Sequence, residues 1–267
     1  MPPRTLRTEK AGKKELRLVL DGNVYVGLVD GHRLADGEDA DEVWSNLRRN
    51  VGVADPRYFG YSGAINHFRR FFPNGFASQG FASQERGDKI VALDELSRNV
   101  PLVAAVDGTG LAEAVLAVFR RTNLPGKFEQ IWVQNLLRSA DADRFIQFSA
   151  RFALEPSRKH LAELATCAKP HKAATWPILT YLPFFWQPER HMFLKPEVTR
   201  EYAARVGHIF AELYASPPDF PTYEALLDLV DVTRRKIGEL DQRDGIDIQG
   251  FIWVVGGGYR ESDGVYP

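Results

Sequence analysis

Two histidines and a handful of carboxylates are the residues in this chain whose types invite chemistry. His191 and His208, with Glu189, Glu212 or Asp247, could supply a general base, because an imidazole beside a carboxylate exchanges protons near neutral pH; the same groups are zinc ligands. Their spacing is not that of a metal-binding helix, since neither HExxH nor His-x-His occurs. His191, His208 and Asp247 are the candidates for an acid–base site, with or without a divalent metal, if they meet in space; no metal ligand set and no cofactor is expected from the spacing. The structural alternative for His191, set between Arg190 and Met192-Phe193-Leu194, is a hydrogen bond to a loop carbonyl.

Cys167 is the single thiol, with His160 and His171 near it in sequence. A cysteine needs a base to become a nucleophile, but catalytic partners meet in space rather than along the chain. Its place after an alanine-rich helix end, LAELATCAK, suits a half-buried structural thiol. No Gly-x-Ser-x-Gly elbow is present, which leaves a serine hydrolase of the α/β type without support. Asp107-Gly108-Thr109-Gly110 precedes a helix start, where free amides could hold a phosphate. It lacks the third glycine of a dinucleotide site and the Lys-Ser/Thr of a P-loop, so an interhelical turn explains it.

Nucleic-acid contact is suggested by Arg57, Tyr58, Tyr61, His67, Arg69 and Arg70 interleaved with phenylalanines, together with a basic N-terminal stretch. Guanidiniums neutralise phosphates and exposed rings stack on bases. The helical spacing of Phe68 and Phe72 also fits a core face with Arg69 and Arg70 solvated behind it. Arg234, Arg235 and Lys236 form a second basic cluster, flanked by Asp228, Asp231 and Glu239, which favours ion pairs over a patch. The run Trp176 to Trp186, with Thr180, Tyr181 and Gln187, could wall an apolar pocket or simply fill the core.

Lys plus Arg is 34 and Asp plus Glu 35 among 267 residues, so no global field would hold the chain on nucleic acid or an anionic membrane. One cysteine excludes an internal disulfide and any zinc site of several thiolates, and fits a reducing compartment. The first residues, MPPRTLRTEKAGKK, carry no apolar run of signal-peptide length, and no stretch approaches a membrane span. A cytoplasmic protein without a membrane partner is expected.

The elements that would position these groups follow from hydrophobic spacing. Residues 1–14 read as a disordered basic tail. Residues 15–20 and 24–30 form a β-hairpin about Asp21-Gly22-Asn23, and after a turn-rich stretch at 31–37 a helix capped by Asp39 or Asp41 carries Val43, Trp44, Leu47 and Val51. These make a unit over 15–55. A helical domain over 56–258 follows, with a C-terminal tail at 259–267. Ile65, Phe68 and Phe72 place a helix before Pro73-Asn74-Gly75. The duplication GFASQ at 75–79 and 80–84 reads as a linker loop whose Ser83 caps the next helix.

From 111 to 166 four apolar faces recur: Leu111, Val115, Val118 and Phe119; Phe128, Ile131, Trp132 and Leu136; Phe145, Phe148 and Phe152; Leu161, Leu164 and Ala165. These predict a helical bundle. Three prolines in TWPILTYLPFFWQP argue for a buried, irregular crossing segment. Further helices are expected through Val198 to Leu213 and, capped by Thr222, through Tyr223 to Ile237. IDIQGFIWVV, residues 246–255, reads as a buried strand, with a hydrophobic helix the alternative. The fold class is mainly α (α+β).

The blocks FFPNGF, HMFLKPEVTREYAARVGH, TYEALLDLV and DGIDIQGFIWVVGG resemble recurring blocks of a widespread bacterial family of hypothetical proteins, over about residues 15 to 258. The resemblance implies one bacterial architecture and carries over no activity and no functional residue. Similar C-terminal blocks point toward genome defence. The functional expectation is a non-enzymatic accessory protein that binds nucleic acid or a protein partner. The alternatives are a hydrolase-like enzyme using His191 and His208, or a homo-oligomeric scaffold held by the proline-interrupted aromatic stretch.

Overall fold

The computed structural model describes residues 3–11, 14–50, 57–260, 264 and 265. Four strands, β1 (Arg4–Ala11), β2 (Lys14–Asp21), β3 (Val24–Val29) and β4 (His32–Gly37), form an antiparallel sheet in sequence order. The expected hairpin is β2–β3, paired from Leu16↔Val29 to Asp21↔Val24. Two expectations are corrected around it. Residues 4–11 are not a tail: they pair with β2, from Arg4↔Leu20 to Ala11↔Lys14. Residues 32–37 are a strand, because Asp30 and Gly31 both take positive φ (50° and 82°), as a tight primed hairpin turn requires. Asp30-Gly31, a dipeptide favoured in such turns, is itself a hairpin signal.

Helix α1 (Ala40–Asn50) crosses this sheet and buries Val43, Trp44 and Leu47 on Leu16 and Leu18. Asp39 caps it, accepting from the amides of Asp41 (3.0 Å) and Glu42 (2.9 Å). Leu47 lies so close over β3 that a Cβ on Gly27 would stand 3.2 Å from it. The cluster is separate from the main core. The predicted position Val51 and the predicted boundary at 55/56 lie outside the described residues.

The large domain contains α2 (Gly60–Phe71), α3 (Gly87–Asn99), α4 (Ala112–Phe119), α5 (Lys127–Leu137), α6 (Ala142–Leu154) and α7 (Arg158–Ala168). It continues with α8 (Trp176–Trp186), α9 (Pro196–Val206), α10 (Phe220–Lys236) and α11 (Gly245–Trp253). One continuous core runs from Tyr61 to Val255. The bundle expected from 111 to 166 is present, but α5 turns Phe128 and Ile131 outward, 72% and 55% exposed, and buries Val133, Leu136 and Leu137, so of the face expected there only Leu136 is fully buried.

The duplicated pentapeptide is not a linker. Its first copy forms a 3-10 turn (Gly75–Ala77), and its second runs through a helical turn (Gln79–Phe81) into a π turn (Ala82–Arg86) continuous with α3. Phe76 and Phe81, equivalent in the two copies, sit 5.0 and 5.6 Å from the Phe68 ring, with Phe251 at 5.1 Å. Such aromatic pairs contribute ~0.5–1.5 kcal/mol each beyond area burial, enough to fold a segment whose polar residues read as loop. Ser83 does not cap; its hydroxyl donates to the Gly80 carbonyl.

Three further corrections concern the C-terminal half. TWPILTYLPFFWQP contains the helix α8: Pro177 stands in the first turn, where its missing N–H costs nothing, and only Pro183 removes an internal bond. That costs roughly 3 kcal/mol, whereas burying each of its large side chains gains roughly 1.5–3 kcal/mol, and residues 176–185 are all buried. The run 246–255 is no strand but α11 and the start of a π turn (Val254–Gly258); a segment apolar on all sides is equally a helix inside a core. Asp219, not Thr222, caps α10, accepting from the Thr222 amide at 2.8 Å. The expected tail also starts too early, since Tyr259 packs on Phe71 and Phe72. Among the described residues no helix is long and apolar enough to cross a membrane.

The sheet unit meets the helical domain through charge. Lys236 pairs with Asp39 (2.8 Å) and Glu42 (3.5 Å), and Arg48 pairs with Glu212 (2.8 Å).

Candidate functional site

The residues expected to form an acid–base site are built into different parts of the core. His191 Nε2 donates to the Ala153 carbonyl (2.8 Å), and Nδ1 accepts from the Tyr223 hydroxyl (2.6 Å), which fixes a neutral imidazole. Burial brings its pKa down to about 4. His208 Nδ1 accepts the Phe210 amide (3.2 Å), and Nε2 faces Asp228 (3.1 Å), whose carboxyl this contact holds below the usual range. Asp247 is clamped by Arg86 (2.8 Å) and Arg243 (2.8 and 2.9 Å). Glu189 pairs with Arg234 and Glu212 with Arg48. The three expected groups thus have separate partners, and the convergence on which the acid–base reading depends is not found. Among the described residues no group of three histidine, cysteine or carboxylate side chains could hold a metal ion.

The Cys167 thiol points to the Asp141 carbonyl (3.9 Å), and burial pushes its pKa up, the opposite of activation. His171 faces Asp141 Oδ2 (3.0 Å) and His160 the Glu155 carbonyl (2.8 Å). At the glycine turn the anion position is filled by the chain itself, since the Gly110 amide donates to Asp143 Oδ1 at 2.8 Å.

Of the residues expected to meet nucleic acid, Tyr61 is buried and His67 is packed between Phe59 and Phe71. Arg57 pairs with Glu201 (2.6 Å) and Arg69 with Glu239 (3.0 Å), while Arg70 is exposed beside them. Trp176 to Phe185 are buried in the core, and of them Trp176 and Pro177 also line an open groove with Tyr214 and Val198.

A different group of residues forms a cavity. The π turn rotates the chain into α3 so that Glu85 and Lys89 both face inward, 6% and 2% exposed. Lys89 Nζ donates to the Glu85 carbonyl and to Glu85 Oε2 (3.4 Å), and lies 3.7 Å from Asp88 Oδ1. The Tyr259 hydroxyl donates to Glu85 Oε1 at 2.7 Å. Burial raises the Glu85 carboxyl above its ordinary range, Lys89 and Tyr259 oppose that rise, and Asp88 adds to it. The fold brings α11 against this turn at Gly250, where a Cβ would stand 2.8 Å from the Phe81 ring.

Glu85 and Lys89 line a cavity of about 70 Å³ together with Gln84, Asn123, Leu124, Phe193, Lys195 and Trp253. A water needs roughly 10–15 Å³ measured in this way, so the space has room for several waters. Gln84 and Asn123 stand exposed at the mouth, and Leu124 and Phe193 form the apolar depth. Lys195 Nζ donates to the Leu124 carbonyl (3.1 Å) and lies 3.7 Å from Glu129. An ammonium has three N–H donors, and Lys89 uses two within hydrogen-bond reach. The buried Asp88 Oδ1 beside it has no hydrogen-bond partner among the described residues. The pocket therefore offers a buried cation with a donor to spare beside an apolar wall.

The sequence did hold a signal for this pocket. Phe81, Glu85, Lys89, Ala92 and Leu96 follow steps of four, four, three and four, and all are buried, so the charged pair lies on the apolar stripe of its helix. Compared with family models, with curated proteins and with solved structures, the chain matches none.

Proposed function

We propose that this chain is a binding protein whose pocket beside Lys89 takes a small organic acid, with the anionic head toward Lys89 and Lys195 and an apolar body against Phe193 and Trp253. The observation that supports this reading is the buried Lys89–Glu85 pair in the cavity wall. Desolvating two ions costs several kcal/mol each, and a buried pair is often no more stabilising than apolar residues of the same volume, so folding alone gives little reason for it. A pocket with a few polar groups converging on an apolar floor is the usual form of a small-molecule site. Nucleic-acid binding through Arg57, His67, Arg69 and Arg70 would require breaking the Arg57–Glu201 and Arg69–Glu239 pairs and unpacking His67.

Calorimetry with acetate, benzoate and inorganic phosphate at low salt tests the proposal. Benzoate should bind more tightly than acetate, because only its ring meets the apolar wall. Lys195→Met, at the less buried lysine, should weaken benzoate binding at least several-fold. Absence of binding by all three anions, or an unchanged affinity in Lys195→Met, would count against the site. Filter binding of single-stranded DNA and RNA across a salt series tests the nucleic-acid expectation separately.

A further inference from the structure

We propose that an organic anion enters this pocket together with one proton, and that the proton is taken by Glu85. The inference rests on the binding reading above and adds how the site keeps its charge balanced. Each cation in the pocket already faces carboxylates: Lys89 faces Glu85 Oε2 at 3.4 Å and Asp88 Oδ1 at 3.7 Å, and Lys195 faces Glu129 Oε2 at 3.7 Å. An incoming anion therefore brings a negative charge with no counter-charge of its own, in a space where burying an unpaired charge is strongly unfavourable.

Of these three carboxylates Glu85 is the one in the cavity wall, and its side chain is 8% exposed against 34% for Asp88 and 18% for Glu129. Other elements set its surroundings. Tyr259 donates to Oε1, Gly250 of α11 packs near Cβ, and Arg86 turns away to Asp244 and Asp247. Oε2, facing Lys89, is left to receive the proton. Burial has already moved the Glu85 carboxyl toward the protonated form. A buffer acid supplies the proton, no other bond changes, and Glu85 Oε2 turns from an acceptor for Lys89 into a hydroxyl that can donate to the anion. Lys89 is released to pair with the ligand.

The experiment is calorimetry of benzoate binding to the whole protein at one pH in Bis-Tris and in PIPES, whose ionisation enthalpies differ, repeated from pH 5.5 to 8. Expected is uptake of close to one proton per benzoate, with affinity falling by up to about tenfold for each unit the pH rises. Glu85→Gln should bind benzoate without proton uptake and with flat pH dependence, while Glu129→Gln should keep the uptake. Binding by the unaltered protein without proton uptake overturns this inference and leaves the binding reading standing, and this arm needs no variant to fold. Uptake that persists in Glu85→Gln also overturns it. No benzoate binding at any pH overturns both.

Discussion

The Tyr223 hydroxyl donates to His191 Nδ1 at 2.6 Å while the opposite ring nitrogen donates to the Ala153 carbonyl, so both faces of one imidazole are satisfied inside the core. One of the two histidines considered as a general base is thereby held neutral. Its pKa falls to about 4 on folding, against an ordinary 6.5. The unfolded chain binds the extra proton between these values, so this group adds stability above pH 6.5 and loses it as the pH falls toward 4. Urea unfolding should show stability declining across that window by up to about 1.4 kcal/mol per pH unit from this group. In His191→Phe the decline should be shallower by one proton; an equal slope in both proteins would disprove the assignment.

Tyr223→Phe keeps the ring and removes the donor. With His191 Nδ1 left unsatisfied in the core, stability at pH 7 should drop by about 1–3 kcal/mol. Equilibrium denaturation measures this directly.

Asp39 caps α1 and pairs with Lys236 across the junction of the sheet unit and the helical domain. Burial pushes its carboxyl up, but Lys236 and the amides of Glu42 and Asp41 outweigh that and hold it below its ordinary range. Asp39→Ala should cost about 1–2 kcal/mol at pH 7. Because the folded carboxyl is depressed, the gap between the two proteins should be full above the ordinary carboxylate range and close as the pH falls below about 4. Paired denaturation curves at pH 7 and pH 3.5 decide it.

Gly245 opens α11 with the Pro188 carbonyl oxygen in the space a Cβ would occupy. Gly245→Ala must therefore move backbone and should destabilise by more than about 3 kcal/mol. Gly238 has nothing among the described residues within 4 Å of its Cβ position and no positive φ. Gly238→Ala should be neutral or stabilise by up to about 1 kcal/mol. Thermal melts of the two variants should move in opposite directions or by very different amounts.

Where periodicity was regular the sequence was legible. The faces Val115, Val118 and Phe119, and Phe145 and Phe152, are buried on helices as their spacing requires. Errors gathered where one residue type served two structures. Proline in Trp176 to Trp186 reads as a breaker, yet position within the helix decides its cost. β-Branched residues from 246 to 255 read as strand, yet in a buried segment apolar on every side the period carries no information. The site was missed for a related reason. Charged residues ordinarily face water, and only the apolar residues that share the stripe of Glu85 and Lys89 mark these two as inward-facing.

The pocket draws its walls from positions far apart in the chain: Glu85 and Lys89, Asn123, Phe193, and finally Trp253, with Tyr259 tying back to Glu85 across 174 positions. The sheet and α1, by contrast, are joined by near neighbours. A shortened chain that keeps β1 to β4 and α1 therefore keeps every element of the small unit, whereas one that stops before residue 253 lacks Trp253 in the pocket wall and the Tyr259 hydrogen bond to Glu85.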